Sequence, residues 1–214
     1  MTQINIGIQE SLVENDVRSP HEVIFRAMCV SAIVIRGELE KAALGSSNEG
    51  REMLNSKVRM INAGLDESEA YNFLTPIERA LLAQPYGAWD LSGDYDSIRL
   101  NNQLGVLLWA LSLIDELPKL YENFPEHLYW YVGIPVTTSD LFQAVQLRTV
   151  DELIDELDTL ENSAFEEDHE ELISLLIGED LISDVDRLER VLTNQAPRRS
   201  ALDWVLDSAL EWED

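Results

Sequence analysis

The sequence predicts an all-α fold, a compact multi-helix single domain with little or no sheet. Apolar residues recur at the helical period over most of the chain. One helix-start signature, a hydroxyl residue followed three positions later by Glu, recurs as Ser19-Pro20-His21-Glu22, Thr75-Pro76-Ile77-Glu78 and Thr149-Val150-Asp151-Glu152. No run joins strict two-residue alternation to β-branched enrichment, so nothing announces a strand.

Each element follows from local chemistry. Residues 1–18 read as an N-terminal extension, and 19–214 as a single helical domain with a strongly acidic C-terminal third. Ser19 caps a first helix, Pro20 suits its first position, and Val23, Ile24, Ala27, Val30, Val34 and Leu39 form its apolar stripe. Gly45 is a natural stop. A second helix is expected from near Ser47 to Ala63, with Met53, Leu54, Val58 and Ile61 on one face and Gly64 at its end. Thr75 caps a third, which Pro85 and Gly87 keep short, and residues 86–97 form a loop by composition. Asp96 or Ser97 then caps a helix carrying the most apolar stretch, NNQLGVLLWALSLIDELP (101–118), and Pro118 is expected to stop it. Residues 120–136 mix aromatics with Pro125, Gly133 and Pro135, as in a bent connection containing a short helix. The last third reads as amphipathic helices: one through Leu153, Ile154, Leu157 and Leu160, two more separated at Gly178, and a final one opened by Pro197.

Charge is the extreme property. The 214 residues carry 41 acids against 15 bases, a formal net charge of −26. The span 151–190 alone holds 16 acids, offset only by Arg187 and Arg190. Such a field repels nucleic-acid phosphates and anionic lipid surfaces, so direct nucleic-acid or membrane binding is not expected. It attracts basic surfaces and speeds their encounter at low salt. The apolar stretch at 104–114 is too short to span a bilayer, and Asp115 and Glu116 follow at once. The N-terminus lacks the basic and apolar regions of a secretory signal, so a cytoplasmic location is expected. The single cysteine, Cys29, excludes an intrachain disulfide and reads as a small buried hydrophobe.

Catalytic and metal signatures are sparse. There is no Gly-x-Ser-x-Gly elbow, phosphate loop, dinucleotide fingerprint or His-Glu-x-x-His. Glu166-x-x-His169 is half of a di-iron motif whose second copy does not appear. Asp90, Asp94 and Asp96 lack the glycine and terminal glutamate of a calcium loop. No catalytic residue, metal ligand or cofactor is therefore expected. The pairs Asp151/Asp155 and Glu152/Glu156 set like charges four residues apart on one helix, an unfavourable pattern that suits a basic partner or a plain solvated face. Packing is the expected role of the tryptophans.

In their order, LTPIERALL, an aromatic loop, NQLGVLLWALSLIDELP, LRTVDELIDELD and RRSALDWVLDSALEWED resemble a bacterial family of unknown function, domain-of-unknown-function family 4272, from about Ser19 to the end. The resemblance implies an all-helical cytosolic domain and supplies no activity. Ser112 stands where that family pattern has glycine, and TLENSAFEEDHEE replaces a basic and aromatic continuation.

The first expectation for function is a non-enzymatic acidic interaction protein that binds a basic protein surface, as an inhibitor, immunity factor or nucleic-acid mimic would. Its candidate contact residues are Asp151, Glu152, Asp155, Glu156, Glu166, Glu167, Asp168, Glu170 and Glu171. Two alternatives stand beside it: a small-molecule enzyme or sensor with a pocket beside the Trp109 helix, and an acidic structural subunit. Oligomeric state is open.

Overall fold

A computed structural model describes residues 17–91, 96–125, 127–132, 142–143, 145–163 and 181–212. Among the described residues there are six α-helices and no strand: α1 (Pro20–Ala43), α2 (Asn48–Asp66), α3 (Pro76–Ala83), α4 (Ser97–Ala110), α5 (Val150–Ser163) and α6 (Leu181–Leu206). Short 3-10 turns lie at Glu69–Phe73 and Leu128–Tyr131. The molecule is all-α, with α1 and α4 packed together at its centre and α6 running along α4 and α5.

The capping chemistry works as the sequence predicts. Ser19 and Glu22 form a reciprocal capping box at α1, and Thr75 and Glu78 form another at α3. At α5, the Glu152 N–H donates to the Thr149 hydroxyl while the Glu152 carboxylate accepts from the Thr149 N–H. Asp96 caps α4 by accepting from the Ile98 and Arg99 amides, both at 3.0 Å. One core joins Val23, Ile24, Ala27 and Val30 of α1 to Leu104, Leu107, Leu108 and Leu111, Leu153 and Leu160 of α5, and Leu202 and Val205 of α6. Cys29 is buried in it, its thiol donating to the Ala70 carbonyl at 3.1 Å, and burial pushes that thiol up to about 12.

Four expectations about elements are corrected. The α4 helix ends at Ala110 rather than at Pro118. Ser112 there has φ +55°, the Ser112 N–H donates to the Trp109 carbonyl, and the Leu113 N–H donates to the Leu108 carbonyl. Those two bonds form a Schellman cap, so α4 is closed by geometry before its apolar run is over. The α2 helix continues through Gly64 to Asp66, because Leu65 is buried and holds the last turn down. Met53 is 57% exposed, since it lies about 100° round the helix from Leu54 and away from the Val58 and Leu65 face. Pro197 does not open a helix: α6 is continuous from Leu181 to Leu206 and holds Pro197 inside. Burial of Val191, Ala201 and Leu202 on either side keeps the helix on course despite the lost backbone donor. The helix expected over HEELISLLIG (169–178) and its break at Gly178 lie outside the described residues.

Candidate interaction face and adjoining cleft

The interior is organised by arginines. Arg26 is 1% exposed in the middle of α1, where its guanidinium makes a two-pronged bond to Glu78 and a third to the Phe73 carbonyl. Arg36, ten residues on, pairs with Glu40 and donates to the Gln84 and Pro85 carbonyls. Arg18 donates to the Trp204 carbonyl at 2.8 Å and to the Leu210 carbonyl. These three, and Arg148 with them, also cover tryptophans: Arg36 over Trp89 at 5.2 Å, Arg148 over Trp109 at 4.6 Å, Arg18 over Trp204 at 3.9 Å and Arg26 over Trp212 at 4.1 Å. Those tryptophans are therefore packing elements, whereas Trp130 is 73% exposed beside Tyr129 and His127.

Two arginines fix the segment that follows α4. Arg148 donates to the Trp109, Ile114 and Asp115 carbonyls at 2.9, 3.2 and 2.8 Å. Arg198 of α6 donates to the Pro118 carbonyl at 2.5 Å, to Glu122 at 3.2 Å and to the Asn102 side-chain oxygen at 2.7 Å. Asn194 completes the network, donating to the Leu120 carbonyl at 2.7 Å and accepting from the Asn102 amide at 2.8 Å. A turn that would otherwise bury unpaired carbonyls is thereby satisfied from both sides. Burial draws the Arg198 guanidinium down to about 10, with Glu156 and Glu122 resisting, so it stays charged at neutral pH.

Between these clamps lies a cleft of about 500 Å³ walled by the 115–121 segment, α5 and α6. Trp109, Leu117 and Leu160 give it an apolar floor, and Glu156, Tyr121, Lys119, Arg187 and Arg198 give it polar edges.

The helical period divides the predicted acidic residues. Asp151 and Asp155 are exposed, and Asp158 joins them on the outward face of α5. Glu152 is also exposed, but its carboxylate caps its own helix and pairs with Arg148 at 3.4 Å. Hydrogen bonds from Thr149, then Arg148, hold it below the usual carboxylate range. Glu156 turns the other way, half-buried along the cleft, where burial raises its carboxyl against the pull of Arg198 and Arg148. The structure thus brings Asp151 and Asp155 together and separates Glu156 from them. Glu166, Glu167, Asp168, Glu170 and Glu171 lie outside the described residues, as do His169 and Asp94. Farther along, Arg199 bridges Glu161 at 2.7 Å and Asp203 at 3.5 Å. Among the described residues no three metal-ligating side chains cluster, and no helix is long and apolar enough to cross a membrane.

Sequence reasoning missed the arginine clamps. Their signal is present, since Arg26 in VIFRAMCV and Arg36 in AIVIRGEL are lone charges within apolar helix runs. A charge in such a place is buried only when it is paired, as Arg26 is with Glu78 and Arg36 with Glu40.

Comparison with curated proteins gives no match, and neither does comparison with solved structures. A family model does match, over residues 5–214. The match takes in every described element from α1 to α6, and the chain belongs to the family described as Domain of unknown function (DUF4272).

Proposed function

We propose that this chain is a non-enzymatic interaction protein whose acidic exterior, centred on the outward face of α5, engages a basic surface on a protein partner. The observation that carries the reading is the inward use of its cations. Arg18, Arg26, Arg36, Arg148 and Arg198 are engaged with internal carbonyls, carboxylates and aromatic rings. Arg26 and Arg36 take Glu78 and Glu40 inward with them, whereas Arg18, Arg148 and Arg198 spend most of their donors on carbonyls and so leave carboxylate in excess outside. On α5, Asp151 and Asp155 lie four residues apart and Asp158 three beyond, with no cation between them on that face. That repulsion disfavours the free protein slightly and is relieved when a basic surface docks.

Carboxylates so placed stand where phosphates would contact a nucleic-acid-binding or otherwise basic protein, which suits an inhibitory, immunity-like or mimic role. The single buried thiol fits a reducing bacterial cytosol. The test is affinity capture from the native host with the wild type and with a D151K/D155K/D158K variant. A basic protein that is retained by the first and lost from the second supports the reading. Equal retention by both, or retention of no basic protein, overturns it.

A further inference from the structure

The five tryptophans of the chain are not treated alike. Trp89, Trp109, Trp204 and Trp212 each lie under an arginine of the same chain, its guanidinium carbon 3.9 to 5.2 Å from the ring centroid. Two of those arginines also bond the backbone of the residue they cover. The Arg18 Nε donates to the Trp204 carbonyl at 2.8 Å, and the Arg148 Nε donates to the Trp109 carbonyl at 2.9 Å. Trp130 is the exception. It is 73% exposed, and among the described residues no cation lies over its ring and no donor reaches its carbonyl.

The ring is carried on a braced turn. Leu128 and Val132 are buried on either side of it in the chain, and the Leu128–Tyr131 turn packs against α1 and α4. The Ser31 hydroxyl donates to the Tyr129 carbonyl at 3.3 Å. His127 opens the turn at φ +68°, a left-handed conformation that a side chain disfavours and that the surroundings must hold in place. Its Nδ1 lies 2.7 Å from the Tyr129 hydroxyl. Tyr129 stacks beside Trp130 at 6.3 Å between centroids, and His127 meets it edge-on at 6.4 Å. An aromatic surface fixed in this way loses little freedom when something docks on it.

Charge selects the occupant. At a net charge of −26 the chain repels a second copy of itself, an anionic lipid surface, and the phosphates that accompany any nucleic-acid base. It attracts cations, and indole is the aromatic ring that holds a cation best. Of the two basic side chains, arginine fits the place better. Its guanidinium is planar and more weakly hydrated than an ammonium, and it can lie flat on a ring while donating to a carbonyl, as Arg18 and Arg148 do.

We infer that the Trp130 face receives an arginine side chain of the basic partner, stacked on the indole with its Nε donating to the Trp130 carbonyl. The inference rests on the proposed basic partner and gives that partner a second point of contact, separate from the outward aspartates of α5.

The experiment is an NMR titration of the full chain with acetyl-hexa-arginine amide. Acetyl-hexa-lysine amide, of equal charge, and maltohexaose, a neutral ligand able to stack on an indole, serve as comparisons. The expected result is a saturable shift of the Trp130 indole N–H with the arginine peptide and a weaker response to the lysine peptide. Trp130→Ala weakens binding of the arginine peptide about threefold to tenfold and leaves the other four indole signals in place. The Trp130 response persists in the D151K/D155K/D158K variant, so failure of the α5 face and failure of this site are told apart. An arginine peptide that moves only α5 amides, an equal response to the lysine peptide, or saturation of the Trp130 signal by maltohexaose would each overturn the assignment. So would unchanged affinity in Trp130→Ala, or loss of the Trp130 response in the α5 variant.

Discussion

At the scale of single residues, two small residues set how α4 packs and how it ends. Gly105 sits in α4 where an added Cβ would lie 2.2 Å from a ring carbon of Phe124, whose ring is itself held 4.7 Å below the Arg198 guanidinium. The ring cannot retreat without moving the clamp. Gly105→Ala is therefore expected to cost about 1–3 kcal/mol, read as a lower denaturant midpoint. Ser112 carries the opposite imbalance, holding φ +55° with a side chain that the left-handed region disfavours. Ser112→Gly should stabilise the fold by about 1 kcal/mol, and a β-branched residue there should destabilise it. An unchanged or lowered melting temperature in the glycine variant would contradict the Schellman cap as described.

Glu156 makes a pH prediction whose sign follows from burial. Its carboxyl is raised in the folded state, opposed only in part by Arg198 and Arg148. A raised acid binds more protons folded than unfolded, so its contribution to stability falls as pH rises from the unfolded value through the folded one. Glu156→Gln should consequently match or exceed the wild-type melting temperature at pH 7, with the advantage shrinking toward pH 4. Denaturation curves of both proteins across that range check this, and an advantage that grew on acidification would refute it.

At the scale of elements, what could be read from the sequence was whatever is decided locally. The three capping boxes and the Asp96 cap need only residues within a turn of one another, and the structure has all of them. The stripe of α1 is legible for the same reason. The end of α4 was not legible, because its stop is a conformation that Ser112 adopts and not a residue type that announces it. Continuity of α6 through Pro197 depends on burial against α4 and α5, a tertiary effect that overrides a local breaker. The clamps were illegible in detail because Arg148 reaches carbonyls 33 and 34 positions away and Arg198 reaches Pro118, 80 away. In the site itself, the division of α5 could have been drawn from the helical period, which places Glu156 nearer Leu160 than Asp155. The cleft could not, since its walls come from three separate parts of the chain.

The Arg198 clamp bears most directly on the element scale. Removing it takes the donor from the part-buried Pro118 carbonyl and from the buried Asn102 side-chain oxygen, and an acceptor so left costs about 1–3 kcal/mol. Arg198→Ala is expected to destabilise the protein by about 3 kcal/mol or more. At denaturant concentrations where it remains folded, hydrogen exchange should rise in residues 118–122 before it rises in α1. Uniform acceleration through the whole chain would mean that Arg198 supports global stability alone and does not position this segment.

At the scale of the molecule, folding sorts charge by sign. Buried guanidiniums satisfy backbone carbonyls, cap tryptophan faces and draw in only Glu40 and Glu78 as buried partners among the described residues, so most carboxylates there stay outside. The sorting explains how a chain with 15 bases can present so acidic a face on α5. The claim that the acidic exterior is the working surface is tested most directly by the salt dependence of the complex with the captured basic partner. Affinity measured from about 50 to 200 mM salt, where the screening length contracts toward 8 Å, should fall steeply for the wild type and much less for D151K/D155K/D158K. Affinity indifferent to salt, or an equal slope in the two proteins, would contradict the account.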